Sequence, residues 1–212
     1  MDTDIVQILI SFLVLVFSLT VHESAHAWAA DRLGDPTARL LGRVSLNPIV
    51  HVDPIGTVLF PLIGLFTGAP LIGWAKPVPV ATWRFERPRR DYLMVAAAGP
   101  LSNLALAFVG VVVLRLVGLE AAGGTGSSLV TPIRLLAWGL LSINLLLAIF
   151  NLLPIPPLDG STVLAGLLPE RAAAGLDRIR PYGFLLLYAL MFSGMFSVVV
   201  GVPYRHLLSW LL

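Results

Sequence analysis

The sequence has no cysteine, so no disulfide can staple it, and any metal it binds must take histidine, aspartate or glutamate ligands. Charge is scarce too. Only 12% of the 212 residues are charged against 57% apolar, and the mean hydropathy is +0.89. That excludes a soluble domain, which needs more polar surface, and indicates an integral membrane protein built as one domain over residues 1–212. The net charge of +2 is too small to suggest nucleic acid as a partner. A basic N-terminal flank is also missing. The chain opens Met1-Asp2-Thr3-Asp4 and no A-x-A site follows, so the first apolar run is expected to stay on the mature protein. There is no internal repeat and no low-complexity segment.

That first run, Ile5 to Thr20, leads into Val21-His22-Glu23-Ser24-Ala25-His26. Two histidines four apart share one helix face, about 6 Å apart along it. The spacing lets both imidazoles hold one zinc ion, with Glu23 placed to take a proton from a water molecule there. Ionisable groups at membrane depth are costly and mark function. The competing reading is a chance pattern, or two histidines that satisfy each other in a helix bundle.

Four spanning helices are predicted, over residues 5–33, 91–119, 132–153 and 182–202. The first ends at Gly34-Asp35-Pro36. Thr37 to Ile49 is polar and β-permissive, with turn signals at Gly42 and Asn47-Pro48, and predicts a short β-hairpin. Its edge is expected to pair with an unwound substrate by β-augmentation. Residues 55–74 are apolar but broken by Gly56, Pro61, Gly64, Gly68, Pro70 and Gly73, which predicts a re-entrant segment rather than a span. The basic stretch Lys76 to Arg90 is expected in the cytoplasm, and the Gly/Ser-rich stretch Glu120 to Thr131 outside. The fold class is therefore all-α and polytopic, with four spans, a re-entrant hydrophobic segment and a short β-hairpin-like element.

Parity supports this topology. From Ile5 to His22 is roughly 26 Å at about 1.5 Å per residue, close to the far face of a core about 30 Å thick. Two histidines leave zinc short of a third protein ligand. Asp159, in the turn Pro154-Ile155-Pro156-Pro157-Leu158-Asp159-Gly160 after a spanning helix, is the best candidate. It reaches the histidines' depth only if residues 55–74 do not cross. Otherwise Asp159 is a turn-forming Asp-Gly at the surface.

Four stretches together resemble the site-2 protease family of intramembrane zinc metalloproteases. They are His22 to His26, Gly73-Trp74-Ala75-Lys76-Pro77-Val78-Pro79-Val80, Ala98-Gly99-Pro100-Leu101-Ser102-Asn103, and Asn151 through Gly160. The chain is similar to a compact member without a PDZ-like or CBS-like domain. The resemblance implies one Zn2+ per chain held by His22, His26 and Asp159, with Glu23 as general base. It implies a substrate- or oxyanion-contacting role for Asn151, whose alternative is a helix-packing hydrogen bond. The partners it implies are a transmembrane protein substrate and the lipid bilayer.

The other polar residues are assigned by default. Asn103 and Asn144 are expected to pack helices, His51 to sit at the interface beside Asp53 or else near the site, and His206 at the interface. Lys76 is expected to snorkel, and Trp28, Trp74 and Trp83 to anchor at the interface. With no organelle signal, the expected location is a prokaryotic plasma membrane, multi-pass, with the site near the cytoplasmic side. Two other classes remain: a metal-binding transporter or sensor, which leaves Glu23 without a task, and an inactive scaffold-like relative.

Overall fold

The computed structural model describes residues 5–60, 62–63, 74–118 and 130–212. Three long apolar helices form its centre: α1 (Ile5–Arg32), α2 (Pro88–Val117) and α3 (Val130–Asn151). Each is long and apolar enough to cross a membrane. Large side chains such as Leu9, Leu13, Leu101, Phe108 and Leu116 stand exposed on their outer faces. Water would not tolerate such a continuous apolar surface, whereas lipid does.

Inside, the helices meet on small residues. Ala96, Gly99, Asn103, Ala107 and Gly110 make a stripe on α2 at spacings of three and four. A Cβ at Gly110 would stand 2.7 Å from the Ala137 carbonyl oxygen of α3, so that glycine sets how closely the two helices pack. Ala107, Val111 and Leu114 then interlock with Ala137, Leu141 and Leu145. The pairings also give direction. Val14 lies on Gly139 and Ser18 on Asn144, whereas His26 meets Val95 and His22 meets Asn103. Helices α1 and α3 therefore run parallel, and α2 runs against them.

Helix α1 ends where the breaker residues predict. Gly34 takes φ 105°, its N–H bonds the Asp31 carbonyl, and the Asp35 N–H bonds the Ala30 carbonyl, a Schellman stop. The Asp35 side chain, fully buried, then accepts from the Thr37 hydroxyl and from the N–H groups of Thr37 and Ala81. Those bonds tie the end of α1 to the stretch that enters α2.

The predicted β-hairpin over Thr37 to Ile49 is not there, and no strand occurs among the described residues. A helical turn at Thr37–Leu40 is closed by Gly42 at φ 70° and the Arg43 N–H on the Ala38 carbonyl. Asn47 then caps a second turn at Pro48–Val50 through its side-chain oxygen. The backbone groups a ladder would need are satisfied locally, and Pro48 supplies no donor. The expected edge for β-augmentation goes with the hairpin.

Most of the predicted re-entrant segment, residues 61 and 64–73, lies outside the described residues, as does 119–129 of the expected external loop. The segment's ends are described. Pro54–Leu59 forms a wide helical turn, and the Trp74 N–H donates to the Gly56 carbonyl at 3.1 Å. The Thr57 hydroxyl returns a bond to the Trp74 carbonyl at 2.8 Å, so entry and exit are side by side.

After α3 the chain turns into α4 (Asp159–Leu167), which packs on α2, and then into the amphipathic α5 (Glu170–Ile179). The last predicted span, residues 182–202, is not one continuous helix. Helix α6 (Gly183–Phe192) stops at Ser193-Gly194-Met195, with Gly194 at φ 75°. The chain resumes through a turn at Phe196–Val199 into α7 (Gly201–Leu211), bent by 90°. Counting that bent pair as one span brings the candidate spans to four.

Candidate metal centre

Spacing on α1 puts His22 and His26 one above the other, their rings 4.6 Å apart and nearly perpendicular. Their Nε2 atoms stand 3.0 Å apart. Asp159, the first residue of α4, directs Oδ2 to 3.1 Å from His22 Nε2 and 3.4 Å from His26 Nε2. The turn that delivers it is tight. A Cβ at Gly160 would collide with the Leu152 carbonyl, so the Asp-Gly pair is required for the approach.

The far side of each imidazole is already committed. His22 Nδ1 lies 2.6 Å from Asn103 Oδ1, and His26 Nδ1 lies 2.7 Å from the Val95 carbonyl oxygen. A carbonyl only accepts, so the hydrogen of His26 sits on Nδ1, and the same pairing with Asn103 places that of His22. Both Nε2 atoms then present lone pairs to each other and to a carboxylate oxygen. Asp159 Oδ2 is buried and finds no hydrogen-bond donor. Three lone-pair atoms crowded together repel unless a cation sits among them. Their separations fit one, since ligand atoms arranged tetrahedrally about 2.05 Å from zinc stand ~3.3 Å apart. Two imidazoles and a carboxylate suit zinc by softness as well.

Gly99 of α2 completes the cradle. A Cβ there would stand 2.6 Å from His22 Nε2 and nearer still to His26 Nε2. Only a residue without a side chain lets α2 pass this close to both rings.

The triad opens into a cavity of about 540 Å³, with Glu23, Val78, Tyr92, Asn151, Phe184 and Tyr188 on its walls. Glu23 Oε2 accepts the Val78 N–H at 3.2 Å. Val78 belongs to the irregular stretch 74–80, which is held in place from both sides. Its Lys76 N–H donates to the His51 carbonyl, and Arg43 donates to the Lys76 carbonyl. Asn151 lines the same cavity, with its NH2 also donating to the Leu147 carbonyl at 3.0 Å.

The structure thus brings together His22, His26, Asp159, Glu23 and Asn151. His51 is not at an interface. It is 2% exposed, with Nε2 2.8 Å from the Ser45 carbonyl oxygen and 3.3 Å from Ser24 Oγ. Trp74, expected as an interfacial anchor, also lies on the cavity wall. Sequence reasoning missed Asn103 as the partner of His22, the Gly99 cradle and the Val78 N–H. A signal for the first existed: a metal-ligating histidine needs an acceptor for its other nitrogen, and a buried amide on a neighbouring helix can supply one.

Comparison with known proteins agrees with this chemistry. The sequence model of Peptidase family M50 matches residues 10–193. YwhC of Bacillus subtilis is 40% identical over 193 residues, covering 89% of this chain and 82% of YwhC. Rip2 of Mycobacterium tuberculosis is 30% identical over 180 residues, 83% of this chain and 64% of Rip2. Rip3 of the same species is 30% identical over 195 residues, 89% of this chain and 39% of Rip3. All three are named as zinc metalloproteases, which implies a metal cofactor. No solved structure matches.

Proposed function

The chain belongs to Peptidase family M50, the site-2 protease family of metalloproteases, and on that premise we propose that it is an intramembrane zinc endopeptidase. Its substrate would be a transmembrane segment of another protein. One observation carries the reading: the lone pairs of His22, His26 and Asp159 converge on one point beside Glu23, in a cavity walled by apolar helices.

His22 Nε2, His26 Nε2 and Asp159 Oδ2 would hold one zinc ion. Zinc, when bound, lowers the pKa of a water molecule toward about 7 and polarises the scissile carbonyl. Glu23 takes the proton as the water oxygen attacks the carbonyl carbon, and gives it to the amine nitrogen as the C–N bond breaks. The Val78 N–H on Oε2 fixes the carboxylate's angle, so Oε1 is the oxygen assigned to carry that proton. Asn151 offers a neutral donor for the oxyanion, once its NH2 turns from the Leu147 carbonyl.

The topology we propose has four spans, a re-entrant segment over 55–74, both termini outside and the site near the cytoplasmic face of a prokaryotic plasma membrane. The adjacency of Gly56 and Trp74 supports a segment that leaves and returns at one depth. The parallel course of α1 and α3 supports delivery of Asp159 to the histidines' end. The arginines of the 76–90 stretch, at that same end, argue for the cytoplasm.

Glu23→Gln tests the mechanism. In proteoliposomes carrying single-span peptides, cleavage should fall by roughly 10²–10⁴-fold while zinc content stays that of the wild type. Cleavage at the wild-type rate would overturn the reading. Absence of cleavage by zinc-loaded wild type would instead favour metal transport or scaffolding, which do not need Glu23.

A further inference from the structure

A histidine that ligates a metal must carry its hydrogen on one ring nitrogen and its lone pair on the other. For His26 a backbone carbonyl decides this directly. For His22 the decision is made on a different helix, two side chains away.

The chain of bonds starts at the Leu140 carbonyl of α3. Asn144 Nδ2 donates to it at 2.9 Å and to Ser18 Oγ at 2.8 Å. A carbonyl cannot donate, so Asn144 must keep its NH2 on that side. Its Oδ1 is left facing Asn103, and only the Asn103 NH2 can serve it, at 2.8 Å. Asn103 Oδ1 is thereby turned to His22 Nδ1, at 2.6 Å, and demands a hydrogen there. His22 Nε2 keeps its lone pair, aimed at Asp159 and His26. Ser18, Asn103 and Asn144 are each 0% exposed, so no solvent can stand in for a wrong orientation. In the reverse order, with the hydrogen on Nε2, Asn103 must flip and set its oxygen against Asn144 Oδ1. If Asn144 then flips in turn, its oxygen faces the Leu140 carbonyl. Either way two acceptors end up face to face in a buried site.

We propose that Asn103 and Asn144 are positioning residues of the metal centre, forming a one-way relay from the Leu140 carbonyl that sets the tautomer and ring angle of His22. Asn144 touches no metal ligand, yet the relay makes it a determinant of metal affinity. The relay also links all three central helices, so α3, which leads to Asp159, fixes the protonation pattern of a ligand on α1. This inference rests on reading His22 as a ligand.

The test uses the full chain in detergent. The 15N shifts of His22 in metal-free wild type, at a pH where the ring is neutral, report the tautomer. Competition with a chromophoric chelator gives zinc affinity for wild type, Asn144→Leu, Asn103→Leu and Asn103→Asp, and melting of each metal-free form checks folding. The hydrogen should be on Nδ1. Both leucine variants should bind zinc about 10–100-fold more weakly, and so should Asn103→Asp, whose carboxylate accepts from His22 Nδ1 but sets a second acceptor against Asn144 Oδ1. A role confined to helix packing would lower melting temperature and leave affinity unmoved. Wild-type affinity in folded Asn144→Leu overturns the proposal, and so does a metal-free His22 with its hydrogen on Nε2. The second measurement needs no variant, so it decides the matter even if the leucine variants misfold. Wild type that binds no zinc would instead overturn the ligand assignment, while the tautomer would still decide the relay.

Discussion

Replacing Gly99 by alanine should strip the metal from this chain and leave its three-helix core standing. The added carbon would lie 2.6 Å from His22 Cε1 and Nε2, with His26 Nε2 nearer still. Comfortable contact needs about 3.5 Å, so rings and methyl must part by roughly 1 Å. The rings have little room to swing, because Asn103 and the Val95 carbonyl pin both Nδ1 atoms. A zinc site tolerates only ~0.2 Å of ligand displacement. Zinc affinity should therefore drop by at least ~100-fold, or about 2.7 kcal/mol. The fold itself loses less. Overpacking costs about 1–3 kcal/mol, and alanine returns nearly 1 kcal/mol of helix propensity over glycine. Chelator competition paired with melting of the metal-free protein separates the two effects. An alanine variant that melts like wild type and binds zinc just as tightly would refute the cradle and the ligand geometry with it.

Two further outcomes follow from groups at the helix ends. Wild type should carry about one zinc per chain, and Asp159→Ala should lose it or hold it far more weakly, as read by metal analysis after dialysis. Full zinc in that variant would mean that the third ligand lies elsewhere. At Asp35, burial opposes the charge, but bonds from the Thr37 hydroxyl, the Ala81 and Thr37 N–H groups and nearby Arg84 outweigh it and hold its pKa below the ordinary carboxylate value. A depressed folded pKa means that this stabilisation is complete above about pH 4 and drains away as pH falls through the folded value. Asp35→Asn should flatten that acid limb of the melting curve and destabilise the chain by about 1–3 kcal/mol at neutral pH, because an amide cannot accept on both sides. An unchanged acid limb would show that Asp35 does not drive it.

Much of this site could be read from residue order because its parts are local. The i,i+4 histidines need only one helix, and the Asp-Gly turn announces itself after an apolar run. The extents of α1, α2 and α3 follow hydropathy and breakers to within a few residues. What hydropathy cannot see is conformation inside an apolar run. Ser193-Gly194-Met195 reads as part of a span, yet Gly194 takes a left-handed turn that bends the chain. Thr37 to Ile49 failed differently. Its turn residues serve a hairpin or two helical turns equally well, and bonds such as Arg43 to the Lys76 carbonyl, made to a distant stretch, decide between them. Asn103 was assigned to packing because an amide in a membrane helix has many candidate partners. Only the register of α2 against α1 selects His22.

The triad is divided between the two halves of the chain, with both histidines near the N-terminus and Asp159 arriving after the third long helix. Ribosomes add roughly 5–20 residues per second, so the third ligand emerges on the order of ten seconds after the second. During that interval the His pair and Glu23 are already in place on α1, but the ligand set is incomplete. The cavity also lacks the wall that α6 supplies through Phe184 and Tyr188. With the proposed ligand set, a nascent chain of this design would stay catalytically silent while it is being inserted among other half-made membrane helices. It would become competent only after Asp159 and α6 have been made.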